Sequence, residues 1–150
     1  MKTLHIDLET YSDIDITKAG LYRYVQSAAF EILLLAYAYD YEPVRIIDLA
    51  AGEQIPAGIV RDLNNPDVKK TAHNAAFEIN CLKRYFPTEI CQWHCTMVHA
   101  YYCGLPGQLG QLGKALGLPE SRQKMAAGKQ LIKYFCVPCT PTKGNFGRTR

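Results

Sequence analysis

Asp7 and Glu9 stand two residues apart in the run Asp7-Leu8-Glu9-Thr10. Around them Leu4, Ile6 and Leu8 alternate with Thr3, His5 and Asp7, which predicts a strand over Thr3 to Leu8. Positions two apart on a strand face the same way, so both carboxylates project together where the strand ends. Adjacent carboxylates repel unless positive charge lies between them. A divalent ion such as Mg²⁺ answers that need, being held by one or two carboxylates plus phosphate oxygens. Taken alone, an Asp-x-Glu pair also fits a solvated strand end.

A second group lies in Thr71-Ala72-His73-Asn74-Ala75-Ala76-Phe77-Glu78. It falls where a predicted strand, Val68 to Ala72, gives way to a predicted helix, Ala75 to Tyr85. Open α/β sheets place their sites at such strand ends. Asn74 is expected to cap the helix and Glu78 to lie one turn in. Read by themselves, these are a cap and an exposed acid.

The elements that would position both groups run in the order strand, helix, two strands, helix, strand, helices. Asp15 to Ser27 has helical spacing at Ile16, Ala19, Leu21, Tyr24 and Val25, with Asp15 or Thr17 as N-cap. Glu31 to Tyr39 reads as a buried strand and Val44 to Leu49 as its hairpin partner across Asp40-Tyr41-Glu42-Pro43. Pro56 opens a helix through Leu63, and Asn64-Asn65-Pro66-Asp67 is a turn. Further helices are expected over Cys95 to Tyr102, Leu109 to Leu116 and Arg122 to Phe135. This order predicts an α/β fold with a mixed sheet flanked by helices. The stretch 107–113 (Gly-Gln-Leu-Gly-Gln-Leu-Gly) is too short to be an architectural repeat.

The 150 residues suffice for one domain with a core, and 48% hydrophobic with 21% charged residues is ordinary for a globular chain. No apolar run reaches membrane-helix length, and Met1-Lys2-Thr3-Leu4-His5-Ile6-Asp7 lacks a signal peptide's apolar stretch, so a cytoplasmic location is expected. The six cysteines are then expected to be reduced. Residues 101–150 carry eight Lys or Arg against one acid, Glu120, a net +7; residues 1–100 carry nine basic and thirteen acidic residues, a net −4. An acidic front and a basic back suit a metal site beside a polyanion surface, and equally suit a solvated helical face.

With both motifs in view, the chain resembles the 3′–5′ exonuclease superfamily that uses four acidic residues. Asp7-x-Glu9-Thr10 resembles its first motif and Asn74-x-x-Phe77-Glu78 its second, about 70 residues on. The likeness is greatest to exonuclease domains of family-A-type DNA polymerases from phages and prophages. It extends over Thr3 to Ser12, Tyr22-Arg23-Tyr24, Ala72 to Glu78, Trp93-His94-Cys95-Thr96-Met97 and Pro138 to Arg150. The resemblance implies a ribonuclease-H-like fold, C-terminally incomplete, with a partial exonuclease domain over 1–137 and a basic, Pro- and Gly-containing tail or linker over 138–150.

It further implies two ions, Mg²⁺ or Mn²⁺, held by Asp7, Glu9 and Glu78 as the catalytic carboxylates. Thr10, Asn74 and Phe77 would contact the terminal nucleotide of a single-stranded DNA 3′ end, with Tyr11, Lys143 and Arg148 as further candidates. Glu78 stands where the wider superfamily has Asp. The third motif, Tyr-x-x-x-Asp or its His version, does not follow Glu78 and is expected beyond residue 150, as is a polymerase domain. Weak or no activity is therefore expected from this chain alone. A catalytically dead prophage remnant that only binds nucleic acid is the alternative. A separate downstream chain could also complete the site. A zinc module built from Cys91, His94, Cys95, Cys136 and Cys139 competes on cysteine spacing, against free cysteines partly in a core. His5, His99, Tyr37, Tyr39, Tyr101 and Tyr102 read as packing residues.

Overall fold

Strand β1, Lys2–Tyr11, carries the alternation read from the sequence. Leu4, Ile6 and Leu8 are buried, while His5 and Asp7 face outward. The computed structural model describes residues 1–86, 91–120 and 128–146. After β1 come α1 (Ile16–Gln26), β2 (Glu31–Tyr39), β3 (Arg45–Asp48), α2 (Ala57–Asn64), β4 (Val68–Ala72), α3 (Ala76–Lys83), β5 (Trp93–Cys95), α4 (Thr96–Tyr102), α5 (Leu109–Ala115) and α6 (Gly128–Phe135). A 3₁₀ turn, Lys143–Asn145, lies in the segment expected to be loop.

The five strands form one sheet in the order β3-β2-β1-β4-β5. β1 is central, antiparallel to β2 and parallel to β4. β2 and β3 form the antiparallel hairpin foreseen, and β5 adds to β4 in parallel. The mixed sheet with its flanking helices is the α/β architecture expected.

One apolar cluster holds the sheet to its helices. Leu4, Ile6 and Leu8 of β1 and Ile32, Leu35 and Tyr37 of β2 meet Tyr24 and Val25 of α1, Ile59 and Leu63 of α2, and Cys81 and Leu82 of α3. Leu4, Leu35, Leu63 and Leu82 are fully buried, and each such side chain contributes about 1.5–3 kcal/mol by leaving water. Two buried charged groups are matched. Asp62 (3% exposed) receives Lys2 Nζ at 2.8 Å and Tyr39 Oη at 2.7 Å. Lys70, fully buried on β4, donates to the Asn65 carbonyl at 2.9 Å and lies 3.5 Å from Cys91 Sγ.

Of the two N-caps expected for α1 one is realised, and two further expectations need correction. Asp15, not Thr17, caps α1, its Oδ1 accepting from Thr17 N at 2.9 Å. That helix is broken at Gly20, whose φ of 80° only glycine adopts freely. Trp93–Cys95 is a strand that pairs with Lys70–Ala72, so α4 begins at Thr96 rather than Cys95. Of the helix expected over Arg122 to Phe135, residues 122–127 lie outside those described, and 128–135 form α6.

Candidate active site

The pairing of β1 with β4 explains why distant motifs meet. Lys2–His5 run parallel to Val68–Thr71, with His5 opposite Thr71. Both chains then continue in the same direction, one to Asp7 and Glu9, the other to His73, Asn74 and α3. All four residues, with Phe77 and Glu78, line a single cleft of about 1400 Å³.

The carboxylates sit in unlike environments. Asp7 is exposed and Glu9 half-buried. A register shift between Glu9 and Thr10 interrupts the β1–β2 ladder at this point, and such bulges redirect side chains at sites. Glu78 is 3% exposed, and its Oε2 has no hydrogen-bond partner. Burial pushes its carboxyl up to about 8, and the negative charge of Asp7 adds to the effect. The Cys136 thiol donates to Glu9 Oε2 at 3.7 Å. Its own ionisation is raised to about 11, by burial first and then by Glu9.

Asn74 does not cap α3. Ala75 occupies the N-cap position without a side-chain bond, while Asn74 takes a left-handed φ of 70° and its carbonyl accepts from Phe77 N at 2.8 Å. Asn tolerates that conformation better than most residues, and here it presents Asn74 to the cleft. Phe77, half-buried, packs near Tyr24 with ring centroids 6.3 Å apart. Thr10 is buried instead, its hydroxyl paired with Tyr24 Oη at 2.8 Å, and it lines the adjoining pocket with Glu9 and Cys136. Tyr11 is buried, Lys143 is exposed in the 3₁₀ turn, and Arg148 lies outside the described residues.

The sequence reading missed several residues of the cleft. His73 and Thr96 line it, as does Asp48, whose Oδ1 is committed to Ala51 N at 2.9 Å. The opposite wall is apolar, from Leu109, Leu112, Leu116, Leu131, Ile132 and Phe135. The position of His73 beside Asn74 was a usable signal; the apolar wall gave none, because its residues come from two segments of ordinary helix composition.

A cation suits the acidic end. No Lys or Arg is among the described residues lining the cleft, while Glu78 offers a buried oxygen without a partner. No three His, Cys, Asp or Glu among the described residues converge as a ready-made metal cage. An ion here would therefore complete its shell from water or phosphate, as Mg²⁺ ordinarily does. The zinc candidates are dispersed: Cys91 lies against Lys70, Cys136 faces Glu9, and Cys139 accepts from Asn145 Nδ2 at 3.6 Å.

Known proteins carry the same pattern. The family profile described as 3′–5′ exonuclease matches residues 3–136. A DNA polymerase of Bacillus phage SP02 is 52% identical over 152 residues, covering 100% of this chain and 23% of that protein. The chain thus spans under a quarter of the length of that curated relative. Brucella melitensis NrnC with bound Mg²⁺ superposes with a TM-score of 0.60 at 17% identity, over 86% of this chain and 62% of that one. The same protein bound to pGG gives 0.59 at 17%, over 82% and 56%. At these identities the structural likeness is one of fold. No described helix is long and apolar enough to cross a membrane. By the extent of the profile match and the identity to the phage enzyme, the chain belongs to the 3′–5′ exonuclease family, in the form carried by phage DNA polymerases.

Proposed function

We propose that the cleft is the front of a two-metal 3′–5′ exonuclease site that acts on the single-stranded 3′ end of DNA. The observation that carries this reading is Glu78, a buried carboxylate with an unpartnered oxygen beside Asp7, in the cleft that Glu9 also lines. NrnC, of the same fold, has been solved with Mg²⁺ and with pGG, which supports both ion and substrate class.

Asp7, nearest to solvent, Glu9 and the buried Glu78 are the carboxylates that would hold Mg²⁺ or Mn²⁺. When bound, such ions activate water and stabilise the departing 3′ oxygen. Asn74 presents its amide to the terminal nucleotide, and Phe77 offers a ring face to its base. In a longer polypeptide with a polymerase domain, the activity would serve proofreading.

Within the 150 residues no Tyr-x-x-x-Asp follows Glu78. A second reading is a chain that binds nucleic acid without cutting it, or that cuts only when a further acid is supplied from outside these residues. Hydrolysis of a 5′-labelled single-stranded oligonucleotide with Mn²⁺ or Mg²⁺ separates the two, comparing this chain with Asp7→Ala. Stepwise shortening from the 3′ end that falls at least about 100-fold in the variant supports the enzyme. Binding without shortening in both proteins supports the second reading.

A further inference from the structure

His73 stands where β4 runs out, one residue before Asn74, and both its ring nitrogens are engaged. Nε2 lies 2.8 Å from the Gly107 carbonyl oxygen and Nδ1 3.0 Å from Thr96 Oγ1. The carbonyl can only accept, so Nε2 carries the proton of that bond. Thr96 Oγ1 also lies 3.3 Å from the Ala72 carbonyl oxygen, and its one proton serves either that oxygen or His73 Nδ1. Gly107 is buried, and the Tyr101 ring lies against it so closely that a Cβ there would overlap the ring. Two contacts from different elements therefore pin one backbone point, just ahead of α5.

That point governs the far wall of the cleft. Leu109, Leu112 and Gly113 of α5, with Leu116 beyond it, face the space that Asp7, Glu9 and Glu78 line from the sheet side. α5 has only seven residues, so its position depends on how its start is held.

We infer that His73 is a positioning residue: by tying Gly107 to the end of β4 it fixes the distance between the α5 wall and the carboxylates, and so the size of the group the cleft admits. The identity of that group, a terminal nucleotide, rests on the exonuclease reading; the clamp does not. His73 sets the shape of the site without touching the reacting atoms. The following residue, Asn74, inherits its left-handed placement from the same anchored strand end.

Amide exchange on the free chain tests the clamp, comparing wild type, His73→Ala and His73→Gln. In His73→Ala, amides over 108–113 should exchange about tenfold faster while those of β1 and β2 stay unchanged. His73→Gln keeps a donor for the Gly107 carbonyl and should recover much of the protection. Anisotropy of a fluorescent single-stranded oligonucleotide in Ca²⁺ supplies the second readout. His73→Ala should weaken binding about fivefold to tenfold, and Gln should restore most of it. Unaltered exchange over 108–113 in His73→Ala overturns the clamp. So does faster exchange throughout the sheet, which would mark general destabilisation. Local loosening with unchanged oligonucleotide affinity overturns the role in the cleft. Failure of the wild-type chain to bind the oligonucleotide would sink the exonuclease reading instead, and the exchange result would still decide on the clamp.

Discussion

Among the described residues, large apolar side chains from 1 to 86 mostly point inward, and those from 91 to 146 mostly outward. Among the described residues the buried apolar set runs from Leu4 to Leu82 and then includes only Ala100. The exposed set after residue 91 includes Tyr101, Tyr102, Leu116, Leu131, Tyr134, Phe135 and Phe146. The first region is a sheet with its core. The second is a group of short helices whose apolar residues border the cleft. Stability and site shape are thus assigned to different parts of the chain. The sheet places the carboxylates, and the helices set what can approach them.

The sharpest way to break this division is truncation on each side of it. Leu82→Ala, in the core, should cost about 2–5 kcal/mol in urea unfolding. Leu131→Ala, 55% exposed on α6, should cost less than about 1 kcal/mol. Equal costs would mean that the helices share the core after all.

Glu78 should give the next largest effect. Its carboxyl is raised from 4.5 to about 8, so the folded chain holds a proton that the unfolded chain releases. This contribution is complete below about pH 4.5 and is lost as pH rises through about 8, a span on the order of 5 kcal/mol. Glu78→Gln should flatten that decline in a thermal-melt series across pH. Added Mn²⁺ should offset it in the wild type and not in the variant.

Asp62 behaves in the opposite sense. Burial pushes its carboxyl up, but bonds from Lys2 and Tyr39 outweigh burial and hold it below the usual 3.8. Its contribution is present above pH 3.8 and is lost as acid protonates the folded form. Asp62→Asn should cost about 1–3 kcal/mol at neutral pH and remove that part of the acid limb, as read by circular dichroism. The smallest effect belongs to Cys136→Ala. A thiol contact of 3.7 Å to Glu9 should be worth no more than about 0.5 kcal/mol, and a larger loss would place α6 in the structural half.

Much of the first region was legible in the sequence. Alternation gave β1, the polar link at Asp40–Pro43 gave the β2–β3 hairpin, and Pro56 gave the start of α2. Asp7, Glu9, Asn74, Phe77 and Glu78 do share one cleft, because parallel pairing of β1 with β4 brings their strand ends together. β5 escaped notice because three residues carry too little periodicity to register. The Asn74 cap failed because cap residues are also the residues that tolerate left-handed backbone, and type alone does not separate the two uses. Thr10 looked available from its place beside Glu9, yet it continues the inward series Leu4, Ile6, Leu8, and its hydroxyl meets Tyr24. The His73–Gly107 tie spans 34 residues and no local pattern announces it.

The buried ammonium of Lys70 has a consequence for how the chain assembles. Its tip donates to the Asn65 carbonyl in the turn that leads into β4. A slip of β4 by one residue against β1 would turn its faces over, bringing Lys69 and Thr71 inward and taking Lys70 from the place where its ammonium is satisfied. Misalignment therefore disturbs a buried charge as well as the packing. The same strand delivers His73, Asn74 and Glu78, so a lysine remote from the chemistry checks the alignment on which the chemistry depends.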